Sequence, residues 1–577
     1  MAKLDLSWLI EGLSIDGYMA FDKEGMEKKE WKIPFYYYVW DQTTDTYEKK
    51  KNGTRDYASL RQDYVPRTSL TFNTKLMYNN RFNEVHGLDL LLGYEQNESK
   101  GNDFWGSRSN YLSTAIDQLF AGSTNKEHYD NGGSAYEQAR MSYFGRLGYD
   151  YTGKYMAQFN LRYDGSYIFA AGKRWGFFPG ISLGWRLSEE NFIKENVQWM
   201  NNLKIRASYG QQGNDNVGAY QYLLKYATGR NYVFGNTDVQ GVYQEGFPNK
   251  NITWEVADTY NIGLDGDFWN GLLGIEFDLF KTKRSNILRR RNASIPQYTG
   301  LKDLPDENIG KVENKGVELQ LNHRNRIGKV NFNASGNFLY ACNKVIYMDE
   351  TPWGEGYDYM KEEGMPLGAG LYYEVIGIFK DQAHLESYPH MEGARPGDLI
   401  FKDVDDNGEI NSMDRIRQPL TNFPEIVFGM TLGADWKNLD LSILLQGQGR
   451  AKQAVYSRAD QTGNFYMSQV QDRWTPHNMN GTQPRVGGSI NSMESYSSTY
   501  YLKDASFLRL KNVELGYTIP GNNWLDKLNI SHCRIYLSGY NLLTIDKIKE
   551  VDPETQDGKG TYYPQLRIFN VGVNITF

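Results

Sequence analysis

The sequence predicts an all-β fold: an antiparallel transmembrane β-barrel with short turns at one end and long loops at the other. Three observations point there. The last twelve residues, Leu566 to Phe577, place Phe569, Val571, Val573, Ile575 and Phe577 on one parity and Asn570, Gly572, Asn574 and Thr576 on the other. Such a strand offers an apolar row to lipid and a polar row to a lumen. Aromatic residues make up 14% of the 577 residues, yet hydrophobic residues are only 40% and mean hydropathy is −0.63. No run of about 18 apolar residues occurs, so lipid would be crossed by strands, in which only alternate residues must be apolar. Finally, short and long connections alternate along the chain.

Taken in order, the strands are expected at 13–23, 61–78, 85–98, 137–151, 153–165, 179–188, 202–212, 252–268, 272–285, 314–325, 329–345, 425–436, 439–450, 504–518, 531–541 and 565–577. That is about sixteen. The hairpin at Thr152 and Gly153 is the plainest: Tyr143, Leu147, Tyr149 and Tyr151 share one face, and Tyr155, Ala157, Phe159, Leu161 and Tyr163 continue it after the turn. Asn270-Gly271 carries a hairpin turn signal. Short connections fall near 79–84, 152, 269–271, 326–328 and 437, and long ones near 24–60, 99–136, 213–251, 286–313, 346–424 and 451–503. The whole chain, 1–577, reads as a single, partial barrel domain with 346–424 as a long external loop. A soluble sandwich or propeller fits less well, because no blade-like repeat recurs and sandwich loops do not alternate in this way.

Charge and cysteine content narrow the partners. A net charge of −7 and a pI near 5.7 give no basic face for nucleic acid. The densest basic spot, Arg289, Arg290 and Arg291, reads as a solvated loop. Cys342 and Cys533 suggest neither a disulfide framework nor a zinc site. The amino terminus, MAKLDLSWLIEGLS, shows no secretory signal pattern.

Several stretches resemble the SusC/RagA family of TonB-dependent outer-membrane transporters from Bacteroidetes. They are RYDGSYIFAAGKRWGFFPGISLGWRLSEENF (162–192), LKIRASYGQQGN (203–214), NITWEVADTYNIGLD (251–265), ENIGKVENKGVELQL (307–321), PGDLIFKDVDDNGEINSMDR (396–415), RWTPHN (473–478) and YLKDASFLRLKNVELGYTIP (501–520). The resemblance covers nearly the whole chain in family order. It implies import of bulky nutrients, oligosaccharides or peptides, across the outer membrane, energised by the TonB complex. It also implies a SusD-like surface lipoprotein as partner on the long external loops. Family members carry a signal peptide, a TonB box and a plug before a barrel of about 22 strands. By that comparison this chain is the carboxyl-terminal barrel portion, lacking those parts. The alternatives are a plugless passive pore and a soluble or surface-attached glycan-binding β protein.

The sharpest local motif is Asp403-x-Asp405-x-Asn407-Gly408-Glu409, closing at Asp414. Oxygen donors fall at positions 1, 3, 5 and 12, glycine sits at 6 for the sharp turn, and Glu409 offers its carbonyl at 7. That is the spacing of a calcium loop, here without a helix pair, since Pro396 precedes it and GDLIFK reads as a strand. The expected ion is a structural Ca2+ that stiffens the 346–424 loop; the competing reading is an Asx-rich turn. The sequence contains no HExxH, Walker A, GxSxG or CxxC motif, and its seven histidines show no metal spacing. No catalytic residues are expected. Trp175, Phe177 and Phe178, Trp353 and Tyr357, and the stretch Phe35 to Trp40 are aromatic candidates either for sugar stacking or for a membrane girdle.

Overall fold

The computed structural model describes residues 2–51, 57–291, 304, 306–350, 352–455, 466–486, 497–521, 527, 529–555 and 562–577. It separates into two compact units. One comprises Met1–Tyr149, Phe159–Pro179 and Gly218–Tyr220, and the other comprises Asp150–Gln158, Gly180–Val217 and Gln221–Phe577.

The first unit contains β1 (Ala2–Asp5), β2 (Leu13–Lys32), the hairpin β3 (Tyr36–Asp41) and β4 (Thr46–Lys51), β5 (Ser59–Phe82) and β6 (His86–Ser109). β2 pairs with β5 from Leu13↔Tyr78 to Lys32↔Ser59, and β5 with β6 from Ser59↔Ser109 to Phe82↔His86. Directly opposed residues share a face, so Ile15 with Leu76, Met19 with Phe72 and Phe21 with Leu70 build an apolar row. Met19 and Phe21 are about two-thirds exposed, whereas Asp16 and Asn73 on the other face are buried.

β7 (Tyr129–Tyr151), β8 (Tyr155–Ser166) and β9 (Trp175–Arg186) follow, with residues in both units. The expected turn at Thr152 and Gly153 is present, with left-handed backbone at both residues. Asp150 Oδ2 accepts from the Gly153 amide at 2.7 Å.

The second unit continues through β10 (Met200–Asn214), the short strands β11 (Lys225–Thr228), β12 (Tyr232–Phe234), β13 (Thr237–Val239) and β14 (Val242–Glu245), then β15 (Glu255–Phe268), β16 (Leu273–Arg290), β17 (Asp306–Ile327) and β18 (Val330–Tyr347). The 346–424 segment holds β19 (Leu371–Tyr373), β20 (Val375–Ile378), β21 (Leu399–Phe401) and β22 (Arg415–Arg417). After it come β23 (Ile426–Trp436), β24 (Leu439–Gly449), β25 (Lys452–Ala454), β26 (Leu502–Asp504), β27 (Phe507–Thr518), β28 (His532–Asp546) and β29 (Ile568–Thr576). The long strands pair antiparallel in chain order, β9 with β10, then β15, β16, β17, β18, β23, β24, β27, β28 and β29.

The register lines up side chains across this meander. Ile205, Leu264, Phe277, Leu319, Phe338 and Phe428 form one continuous apolar row over six strands. Aromatic rings mark two levels of β10 and β15. Trp199 packs on Phe268 and Trp269 at 5.7 and 5.4 Å, and Tyr209 packs on Tyr260 at 5.1 Å. From Tyr260 to Phe268 the strand runs about 27 Å, which at a tilt of about 40° spans roughly 20 Å, most of the roughly 25 Å apolar band between aromatic girdles of outer-membrane barrels.

Each expected strand has its counterpart, but several overshoot. β2 runs on to Lys32, β5 begins at Ser59, β6 reaches Ser109 and β7 starts at Tyr129, so the loops expected at 24–60 and 99–136 are shorter than the sequence suggested. Beyond the apolar band both faces are polar, and alternation no longer marks a strand that backbone pairing continues. The Arg289–Arg291 triplet is another correction, because it is not a solvated loop throughout. β16 passes bulges after Arg284 and Ile287 and ends at Arg290. Arg289 meets Glu362 at 3.0 Å and Arg291 meets Glu307 at 2.6 Å, while Arg290 is exposed.

Candidate functional site

The 346–424 segment is held by its own cores. Tyr373, Leu399, Phe401 and Ile410 are buried together, and Phe379, Leu385 and Ile400 form a second cluster. β21 and Ile410 therefore pin both sides of the loop that carries Asp403, Asp405 and Asn407. One carboxylate oxygen from each of Asp403, Asp405 and Asp414 lies within 4.8 Å of the others. Three oxygens can share one calcium at about 2.4 Å when they lie no more than about 4.2 Å apart, so the cluster is of the size a single cation would draw together.

Local hydrogen bonds set the loop's shape. Asp403 accepts from the amides of Asn407 and Gly408 at 3.2 and 2.9 Å. Gly408 has φ +84°, the left-handed turn that position requires. Asn407 Oδ1 accepts from the Glu409 amide at 2.7 Å, and its Nδ2 donates to Asp405 at 3.0 Å. The Glu409 side chain is exposed and outside the carboxylate cluster, leaving its carbonyl as the group the spacing assigns. Asp414 is fully buried and accepts from the amides of Val404 and Asn411, each at 2.8 Å. Two tyrosines bond to the loop. Tyr357 donates to Asp405 at 3.1 Å, which raises its phenol above the ordinary value. Tyr359 donates to the Met413 carbonyl, and burial, with Asp405 and Asp414 nearby, pushes it up to about 12. The donor set is all oxygen and anionic, and its spacing fits a hard divalent cation. The same carboxylates also satisfy local amides, as an Asx-rich turn does.

The aromatic candidates separate by environment. Trp175 stacks on Tyr163 at 4.7 Å and on Tyr143 at 6.0 Å, a strand-borne ladder of the girdle kind. Phe177 is exposed and Phe178 is buried. Tyr36, Tyr37, Tyr38 and Trp40 stand exposed on the β3–β4 hairpin, with Lys49 Nζ 4.2 Å from the Tyr36 ring centre. Trp353 is half-buried and its indole N–H donates to Glu350 at 3.4 Å.

Sequence reasoning missed two inward-facing charge clusters. Arg206 on β10 bridges Asp265 at 2.7 Å and Asp278 at 2.9 Å. Arg534 on β28 joins Glu514 at 2.7 Å and also Asp440. Each guanidinium crosses a glycine: a Cβ on Gly263 would lie 2.7 Å from Arg206, and one on Gly516 would collide with Arg534. The signal was inward parity combined with register, which becomes readable once strand partners are known.

Comparison with known proteins agrees with the strand pattern. The model of the family described as "TonB dependent receptor-like, beta-barrel" matches residues 27–542. TonB-dependent receptor P3 of Formosa agariphila is 29% identical over 550 residues, covering 89% of this chain and 53% of that protein. TonB-dependent receptor SusC of Bacteroides thetaiotaomicron is 30% identical over 451 residues, covering 76% of this chain and 44% of SusC. The chain thus spans about half the length of the curated relatives it matches. In fold it is similar to the structure of the RagAB peptide transporter, with a TM-score of 0.79 and 23% identity over 99% of this chain and 60% of that one.

Proposed function

Because this chain belongs to the TonB-dependent receptor-like β-barrel family, whose members are transporters and not enzymes, we propose that residues 1–577 form part of the barrel of an outer-membrane importer for bulky nutrients, oligosaccharides or peptides. Energy would come through the TonB complex. The observation that carries this reading is the two-faced strand wall, with an apolar row over six strands outside and charge clusters such as Arg206 with Asp265 and Asp278 inside. Lipid takes the first face and a hydrated route the second. The partner proposed for the long external segments is a SusD-like surface lipoprotein.

The test is uptake of fluorescently labelled oligosaccharides and peptides by cells with and without the gene, before and after a proton uncoupler. The import reading expects gene-dependent uptake that the uncoupler abolishes. Uptake that persists under the uncoupler would favour a passive pore.

The 403–414 loop is proposed to hold one structural Ca2+ through Asp403, Asp405, Asn407 and Asp414 with the Glu409 carbonyl. The ion would offset repulsion among three carboxylates and stiffen the external segment. Its support is the gathering of carboxylate oxygens of Asp403, Asp405 and Asp414 within 4.8 Å of one another. Calorimetric titration of chelator-treated protein with Ca2+ should give one site that Asp403→Asn weakens; absence of heat would leave the loop as an Asx turn.

A further inference from the structure

A cavity of about 540 Å3 at the root of the 346–424 segment joins two features that the import reading leaves unassigned, Arg289 and Arg290 of the arginine triplet and Trp353. Its wall includes three guanidiniums (Arg289, Arg290, Arg417) and four carboxylates (Asp306, Asp349, Glu350, Glu362). Such a balance suits a ligand with little net charge.

Most of these groups are already engaged in shaping the wall. Arg289 is held by Glu362 at 3.0 and 3.2 Å. Arg417 donates to the carbonyls of Met360 and Ala369. Glu350 accepts from the amides of Glu362 and Glu363 at 2.8 and 3.0 Å and from the Trp353 indole at 3.4 Å. One carboxylate therefore fixes the Trp353 ring to the turn that closes the cavity. The indole N–H is used in that bond, and the ring forms part of the cavity wall. Arg290 and Asp306 are opposite one another in the β16–β17 ladder, and among the described residues neither side chain has a hydrogen-bond or ion-pair partner.

We propose that this cavity is a sugar subsite that takes a neutral pyranose ring of a glycan cargo. A pyranose offers an apolar face of C–H groups, which packs on an indole, and adjacent hydroxyls, one donating to a carboxylate while its neighbour accepts from a guanidinium. Trp353, Asp306 and Arg290 supply those three complements. The volume falls in the roughly 300–1,000 Å3 range of small-molecule sites, whereas an extended peptide is held chiefly by a sheet edge or groove of free backbone groups. The proposal rests on the import reading only in treating the sugar as part of the cargo.

The experiment uses the full protein purified from outer membranes in detergent. It is titrated calorimetrically with neutral oligosaccharides of glucose, mannose, xylose and galactose, and with a tryptic casein digest. At least one oligosaccharide is expected to bind. Trp353→Ala should weaken that binding roughly tenfold, and Trp353→Phe should keep it within about threefold. Heat-modifiable migration on a gel checks that each variant is folded. The proposal is overturned if no oligosaccharide in the panel binds, if Trp353→Ala leaves binding unchanged, or if that variant loses the casein peptides instead. Uncoupler-sensitive uptake that Trp353→Ala leaves intact would remove the subsite and leave the importer standing. Lack of uptake by the wild type would remove the importer without altering the titration result.

Discussion

The strand wall and the 346–424 segment of the second unit bury apolar residues in opposite ways. In the wall, Ile262 is 60% exposed and Phe338 is 40% exposed, because their rows point away from the chain. In the segment, Met360, Phe379 and Leu399 are almost completely enclosed by protein. The segment is built as a small water-soluble domain is built, around interior cores. The wall relies on a continuous backbone ladder and on lipid as the solvent for its apolar row. Residues of the segment can thus be shaped by ordinary packing while the wall follows alternation.

The sharpest way to break this contrast is to truncate an apolar side chain in each region. Phe379→Ala should cost about 3–5 kcal/mol within its cluster, read as faster proteolysis of the segment. Phe338→Ala should cost less, since lipid fills the space. Next in size, Ile262→Arg puts a charge on the apolar row and should cost roughly 2–4 kcal/mol in urea unfolding. Asn261→Arg, one residue away on the inner face, should come near zero. Asp414→Ala removes the acceptor of two part-buried amides, at about 1 kcal/mol for each. Its effect should be confined to protease sensitivity around 399–417, with heat-modifiable migration unchanged.

The smallest effect is one of pH. Burial pushes the Asp504 carboxyl up, but hydrogen bonds from Lys547 and Ser506 outweigh it and hold the group at about 2, against 3.8 when unperturbed. A lowered folded value means the contribution is complete above 3.8 and is lost as pH falls through about 2. Asp504→Asn should therefore differ from wild type in proteolysis near 502–506 at neutral pH, and the difference should close across that window.

The wall was legible because lipid enforces alternation: Ile205, Leu264 and Phe277 can be placed on one face from parity alone. Strand ends were less legible. In the upper parts of β2 and β6, residues such as Lys28, Glu30 and Ser107 are polar like their neighbours, and pairing continues without a sequence signature. The spacing from Asp403 to Asp414 placed three carboxylates that the fold does bring together. It did not reveal that Asn407 would turn its amide to Asp405, or that Tyr357 and Tyr359 would bond to the loop from about fifty residues earlier. Contacts so distant in sequence leave no local pattern. For the same reason the meeting of Arg290 with Trp353 in one cavity could not be read from either motif.

The most direct test of the two-faced wall is nitroxide labelling along β15 in native outer membrane, at Thr259, Tyr260, Asn261, Ile262 and Leu264. Collisions with oxygen report lipid, and collisions with a water-soluble nickel chelate report the lumen. The account predicts high oxygen access at Tyr260, Ile262 and Leu264 and high chelate access at Thr259 and Asn261. Uniform access along the strand, or the reverse parity, would contradict it.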